Sequence, residues 1–401
     1  MFLTALRRRN PAFILAAQLL HQQGHIPANS YVIDLDTVEA NARLIRVEAD
    51  RHALKVFAMT KQVSRNSAFC RAVMRGGIDR AVAVDMACAI ACHRAGLHIG
   101  HLGHLVQIPR GEAGYGASVL QPDYWTVFSA EKAAEVAKAS LAAGREQALL
   151  ARVQTSGDVF YRGHEGGFAA EDAVSAARMI AALDGTRFAG ITTFPAQLYN
   201  HASREVRPTP NLATLSRTAD ALAKAGFSAI EINAPGTTSS VTLEALAQAG
   251  ATQVEPGNGL HGTTPLHAVQ ELPETPAVLY LTEVSHLHAG RAYCFGGGLY
   301  IDPVFPEYDV KALVGPAPTT DAAALRSVEV PPPSAIDYYG MIDIGTGIAP
   351  ASGDTVVFGF RGQAFVTRAY SVGIRGVNSG TPHVETIENC FGQPEPWPLL
   401  K

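Results

Sequence analysis

The feature that most constrains this chain is a rhythm running from Leu54 to Glu255: a short apolar strand, a polar residue at its end, a helix-like stretch, then a glycine stop. The stops fall at Gly76-Gly77, Gly96, Gly144, Gly226 and Gly250, where the left-handed backbone of a helix end costs glycine little. Between them lie eight strand candidates: Leu54 to Thr60, Ala81 to Val84, His101 to Ile108, Tyr124 to Phe128, Leu149 to Gln154, Phe188 to Phe194, Ala229 to Asn233 and Thr252 to Glu255. Strands that alternate with helices build parallel β/α units, and eight of them predict a closed (β/α)8 barrel. An open doubly wound sheet is the competing arrangement, but no Gly-x-Gly-x-x-Gly follows the first strand.

At 401 residues the chain has room for two domains. Tyr31-Val-Ile reads as a strand and Asp36-Thr-Val-Glu39 as a capping box opening a helix, so the barrel domain is expected to span 1–268 with an N-terminal helix and strand. After Pro265 the pattern changes. Pro273-Glu-Thr-Pro276, a Pro-rich stretch from Gly315 to Ser334, and the strand-like Thr355-Val-Val-Phe-Gly-Phe and Ala364-Phe-Val-Thr predict a β-rich domain over 269–401. The 32 basic and 36 acidic residues give a net charge of -4 with no long run of either sign, which leaves no footprint for a nucleic acid or an anionic membrane. Five dispersed cysteines fit a reducing compartment, so a cytoplasmic protein is expected. The basic start followed by Phe13-Ile-Leu-Ala-Ala imitates a signal peptide but lacks a small-residue cleavage site, and reads instead as an amphipathic helix. No apolar stretch is long enough to span a membrane.

In a barrel the strand carboxyl ends form the rim where chemistry sits. Here they are Lys61, Asp85, Gln107, Ser129, Gln154, Thr193, Asn233 and Glu255, of which Asp85 and Ser129 also suit the caps of the helices that follow. Lys61 is the most informative, because an amine ending the run from Leu54 can form a Schiff base with a carbonyl compound, pyridoxal phosphate above all; the plain alternative is a surface lysine that ends a strand. Two loops, Asn233-Ala-Pro-Gly-Thr-Thr-Ser-Ser240 and Glu255-Pro-Gly-Asn-Gly-Leu-His-Gly-Thr-Thr264, have the composition that binds phosphate after barrel strands seven and eight, and also the composition of turns and caps. A carboxylate at Glu255 could hydrogen-bond a pyridinium nitrogen and keep the ring protonated, the stronger electron sink.

Taken together these residues resemble the pyridoxal-phosphate enzymes of the alanine racemase fold, which include the ornithine and diaminopimelate decarboxylases. Met59-Thr-Lys61 matches the lysine that ends the family's first strand and holds the cofactor. Val254-Glu-Pro-Gly257 is similar to the decarboxylase version of the strand-eight motif, where racemases have arginine. Across nearly the whole chain the resemblance is strongest to the YhfX-type group, through Met59-Thr-Lys-Gln, His104-Leu-Val-Gln-Ile-Pro, Asn233-Ala-Pro, Cys294-Phe-Gly-Gly-Gly and Ile336-Asp-Tyr-Tyr. It implies a barrel followed by a smaller carboxyl-terminal β domain, a homodimer, pyridoxal 5'-phosphate on Lys61, and a small-molecule amino-acid substrate.

The implied cofactor set is Lys61, Arg65, Thr193, Asn233, Thr237, Thr238, Ser239, Glu255, Gly257 and Asn258. Arg65 stands for a phosphate contact, because Gln62-Val-Ser-Arg65-Asn66 replaces the racemases' tyrosine and Gly-His-Gly. Thr193 or Phe194 stands where the family stacks a histidine on the ring. A two-base racemase needs an acid on the face opposite Lys61, supplied in this fold by a partner subunit's β domain; Tyr300 or Cys294 takes that role, with Tyr338 and Tyr339 as further candidates.

Other features read as structural. Cys88-x-x-x-Cys92-His93 suits one face of an alanine-rich helix and so reads as packing. His98, His101 and His104 recur every three residues, a spacing that alternates faces on a strand, and the His-x-Cys zinc pair of D-serine dehydratases and D-threonine aldolases is absent near the carboxyl end; no metal is expected. Arg152, Arg162 and Arg65 are candidates for a carboxylate clamp. The leading expectation is a pyridoxal-phosphate-dependent amino-acid racemase. The alternatives are a decarboxylase, which Glu255 favours, and a non-catalytic cofactor carrier, which an added β domain disfavours.

Overall fold

A computed structural model of the chain describes residues 1–300, 309–345 and 349–397. The chain divides into two compact units, a barrel unit of residues 43–60 and 77–259 and a β unit built from residues 1–42, 61–76 and 260–401. None of the described helices is long and apolar enough to cross a membrane.

The barrel unit holds eight parallel strands. In order they are Lys55–Val56 continued by Ala58–Met59, Arg80–Ala83, His98–Leu102, Tyr124–Val127, Gln147–Gln154, Thr186–Thr192, Glu231–Asn233 and Gln253–Val254. The first strand closes the sheet, its first half pairing with strand eight and its second half with strand two. Gln147 to Val153 is buried without interruption, as expected of a parallel strand covered on both faces. Asp85 and Ser129 are the caps of helices Met86–Arg94 and Ala130–Ala142, accepting from the Cys88 and Lys132 amides, so their side chains serve the helices.

Strand three differs from expectation. It covers His98–Leu102 rather than His101 to Ile108, because the chain turns at Gly103, whose φ of +76° suits glycine. Gln107 is therefore a loop brace and not a strand end. Its Nε2 donates to the Thr126 carbonyl at 3.1 Å and its Oε1 accepts from the Phe128 amide at 3.1 Å.

The expected boundary at 268 also needs correction. Strand Ser30–Asp34 pairs antiparallel with Val278–His288 and parallel with Tyr370–Arg375, inside a nine-stranded sheet of the β unit. All five of its residues are buried, and such a strand needs a neighbour on each side. Helices Phe2–Arg9 and Pro11–Gln22 pack on the same sheet, Leu3, Leu6, Phe13, Ile14 and Leu20 joining Val32, Leu279, Leu313, Val357 and Val372 in one apolar core. Helix Ser67–Arg75 belongs to this unit too: the Ser67 amide donates to Glu388 at 2.9 Å and Arg71 ion-pairs with Glu385 at 3.1 Å.

Candidate active site

Glu255 is the first residue after barrel strand eight, and its carboxylate is buried in the barrel interior. Oε1 accepts from Asn233 Nδ2 at 2.9 Å and pairs with His101 Nδ1 at 2.6 Å, while His101 Nε2 lies 2.5 Å from the Thr126 hydroxyl. Both ring nitrogens of His101 are thus hydrogen-bonded, Nδ1 donating to the carboxylate. Asn233 Oδ1 in turn accepts from the Thr192 hydroxyl at 2.7 Å. Strands three, four, six and seven thus each contribute a side chain to one network around Glu255. Its second oxygen, Oε2, makes no hydrogen bond, although His104 Nε2 is 3.3 Å away. Burial pushes the carboxyl up, but the charges of His104 and His101, with the bonds from His101 and Asn233, outweigh it and hold Glu255 below the usual carboxylate range.

His101 and His104 were expected on opposite faces of a strand. The alternation holds for His98, which is exposed and bonds Asp123 at 2.9 Å, against His101, which points inward. It stops applying beyond Leu102, where the turn at Gly103 brings His104 back, its ring centroid 5.4 Å from that of His101. The three residues offer ligand atoms all within 4.8 Å of one another, a donor set that zinc accepts. Both His101 ring nitrogens are already engaged, however, which is the arrangement of a hydrogen-bond network. A glycine two residues past an inward histidine was the signal that this pair would converge.

The two Gly/Thr loops come together backbone to backbone. The Thr237 amide donates to the Gln197 carbonyl at 3.1 Å, and a Cβ on Gly236 would stand 2.5 Å from that same oxygen. A Cβ on Gly259 would collide with the Thr238 carbonyl. Only glycine permits this stacking of the loops after strands six, seven and eight. Thr238, Ser239, Gly257 and Asn258 are buried within it. Ser239 forms a capping box with Thr242 at the turn Ser240–Thr242, so its hydroxyl and amide serve the cap. Thr193 is buried with its hydroxyl 3.4 Å from Asn211 Nδ2, and the Phe194 ring meets the His104 ring edge-on at 5.4 Å, which makes Phe194 the aromatic neighbour of the network.

In the β unit, Lys61 follows Thr60 directly in the chain and opens a 3-10 turn, Lys61–Val63. Its Nζ lies 5.3 Å above the Phe365 ring, with the Arg65 guanidinium 5.5 Å from the same ring. Arg65 is buried and donates to the Cys390 carbonyl at 3.0 Å, and both Ser64 and Arg65 adopt a left-handed φ of 58°, a conformation that non-glycine residues hold only where surrounding contacts enforce it. Cys294 is fully buried on strand Arg291–Phe295, and burial pushes its thiol up to about 12. A thiol so placed serves packing. Tyr300 is half-buried, its amide on the Gly298 carbonyl, and Tyr338 and Tyr339 are exposed.

Comparison with known proteins gives a consistent result. Residues 33–265 match the family model of the alanine racemase N-terminal domain, and residues 279–384 match that of the YhfX-like C-terminal domain. The protein YhfX of Escherichia coli strain K12 is 39% identical over 396 residues, covering 98% of this chain and 100% of that one. Among solved structures, D-threonine aldolase from Filomicrobium marinum superposes with a TM-score of 0.66 at 15% identity, over 92% of this chain and 96% of that one. Alanine racemase of Clostridium difficile 630 in complex with cycloserine gives 0.64 at 15% identity, over 91% and 99%. D-threo-3-hydroxyaspartate dehydratase from Delftia sp. HT23 gives 0.62 at 17% identity, over 90% and 97%. At these identities the three structures show a shared fold.

Proposed function

Because the chain belongs to the alanine racemase-fold family, and within it to the YhfX-like group, we propose that it is a pyridoxal-phosphate enzyme that exchanges the α-proton of an amino acid, a racemase. Two observations within the barrel unit fit that cofactor. Glu255 is a buried, ionised carboxylate with one oxygen held by two donors and the other without a hydrogen bond, as a protonated pyridine nitrogen requires. The glycines at 236 and 259 bring loop backbones together where a phosphate would take amide hydrogens. The first of these carries the reading.

Bound there, pyridoxal phosphate would supply an electron sink for a carbanion at the substrate α-carbon. Lys61 Nζ would hold the cofactor covalently, and its amine would be the base that takes and returns the α-proton on one face. Glu255 Oε2 would accept from the pyridine nitrogen, while His101 and Asn233 fix the carboxylate's orientation. Thr237, Thr238, Gly257 and Asn258 would hold the phosphate, and Phe194 would support the ring. Tyr300 is the proton donor we assign to the opposite face, supplied by a second copy of the chain in a homodimer. The dispersed free cysteines support a cytoplasmic setting.

A decarboxylase is the second reading, and Glu255 at the strand-eight end is the observation that favours it. Incubating the cofactor-loaded protein in deuterated buffer with a panel of amino acids separates the two. A racemase incorporates α-deuterium and keeps the carboxylate, a decarboxylase releases CO2, and neither outcome across a wide panel refutes the catalytic claim.

A further inference from the structure

The amino-terminal end of the barrel, opposite the end that carries Glu255, opens into a cavity of about 550 Å³. That is within the span of small-molecule sites, about 300–1,000 Å³. Its floor is a closed network. The Lys55 amine, at the start of strand one, donates to the Tyr124 hydroxyl of strand four at 2.9 Å and pairs with the Glu231 carboxylate of strand seven. Glu231 also accepts from Tyr124 at 2.8 Å and from Thr252 at 2.7 Å, so the charge of Lys55 is matched. On the strand-two side Arg80 holds Asp79 at 2.8 Å and Asp123 at 2.7 Å, and Asp123 also meets His98 at 2.9 Å. These carboxylates are matched as well.

The wall at strands five and six is different. Arg145, two residues before strand five, is half-buried and donates to the carbonyls of Ala117 at 3.3 Å and Pro122 at 3.2 Å. No carboxylate among the described residues forms an ion pair with it, and Asp123, which acts on it at longer range, is already held by Arg80. Arg187 of strand six pairs in register with Ala148 of strand five, so it lines the same wall. Its carboxylate partner, Glu146, is 3.7 Å away, beyond a hydrogen bond, and both side chains are exposed, where such a pair contributes little. Two guanidinium groups thus line one cavity, one without a counter-ion and one weakly matched. The amino-terminal end of a barrel ordinarily serves stability. A stability layer gains nothing from a half-buried cation left without a counter-ion beside open space.

We propose that this cavity binds a phosphate group, as inorganic phosphate or as a small phosphate monoester, through Arg145 and Arg187. Phosphate carries close to two negative charges, which match two cations, and its oxygens accept from both guanidinium forks; a single carboxylate matches one. The organic part of an ester has the remaining space beside Tyr124, Phe57 and Val56, which line the same cavity. The site lies at the opposite end of the strands from Glu255 and does not depend on the cofactor reading.

Calorimetric titration of the pyridoxal-phosphate-loaded protein in phosphate-free buffer tests this, with inorganic phosphate, phenyl phosphate and phenol as probes. Loading keeps the proposed cofactor cradle filled. A phosphate is expected to bind near one per chain with the visible cofactor absorption unchanged, and phenol is expected not to bind. Inorganic phosphate binding at least as tightly as phenyl phosphate identifies the free ion as the ligand; tighter phenyl phosphate identifies an ester. Arg145→Gln and Arg187→Gln should each weaken the tighter phosphate at least about tenfold. Glu146→Gln, which removes the carboxylate that competes for Arg187, should tighten it about threefold, a gain that a purely structural arginine would not give. Folding of each variant is checked by circular dichroism, and the exposed positions 187 and 146 decide if Arg145→Gln does not fold. The proposal is overturned if neither phosphate binds, if phenol binds as phenyl phosphate does, or if the folded arginine variants bind phosphate as wild type does. Failure of the cofactor reading is separate: it shows as no visible absorption after loading, and the same titrations on the cofactor-free protein and its Arg187→Gln variant still decide this site.

Discussion

In the barrel unit, burial encloses charge. Glu255 stays ionised in the interior, and Arg152, although burial pushes it down to about 10, remains a cation at neutral pH with unmatched donors. In the β unit four buried groups that could ionise are pushed toward their neutral forms. Burial lowers His21 to about 4, His261 to about 3, raises the Cys294 thiol to about 12 and raises the Tyr280 hydroxyl. Around them stands an apolar core running from Leu3 to Val377. Buried charge costs stability unless it is matched, so the unmatched charge inside the barrel is where chemistry is expected, while the apolar core of the β unit holds that unit together.

Damage to the apolar core is expected to give the largest effect. Phe13→Ala should cost the β unit about 3–5 kcal/mol in chemical denaturation while leaving cofactor absorption per folded molecule unchanged; a change in absorption would blur the division of labour. Glu255→Gln should do the reverse, lowering α-proton exchange at least about a hundredfold, which is about 2.7 kcal/mol on the barrier, with a smaller change in melting temperature. Full activity in that variant would remove the buried carboxylate from the mechanism.

The depressed histidines make a pH prediction of known sign. Below pH 6.5 the unfolded chain takes up a proton that folded His21 refuses until about pH 4, so stability falls as pH drops through that window, by up to about 3 kcal/mol. Denaturation of His21→Gln at pH 7 and at pH 5 should show that slope reduced; an unchanged slope would mean that His21 is not held neutral. The smallest effect belongs to Cys294→Ala, about 1 kcal/mol of lost packing with deuterium exchange intact. A collapse of exchange in that variant would return the thiol to the catalytic list.

What could be read in the residues alone was what is local. The strand and glycine rhythm gave the right number of barrel strands and placed seven of the eight, because each depends on a few neighbouring residues, and the caps at Asp85 and Ser129 are local for the same reason. The error in strand three came from Leu105 to Ile108, an apolar run that looks like a strand but follows the turn at Gly103. The domain boundary failed because the two neighbours of Ser30–Asp34 lie far away in the chain, where no local pattern reports them. Glu255 was recognisable as a candidate from its place at a strand end. Its partners were not, since His101 and Thr126 reach it only when the barrel closes.

The central claim is that a cofactor is held on Lys61. The direct measurement is borohydride reduction of the pyridoxal-phosphate-loaded protein, followed by peptide mass mapping across its seven lysines. The account predicts a phosphopyridoxyl adduct on the peptide containing Lys61, near one per chain, and its loss in Lys61→Ala. An adduct confined to another lysine, or none at all, would contradict it.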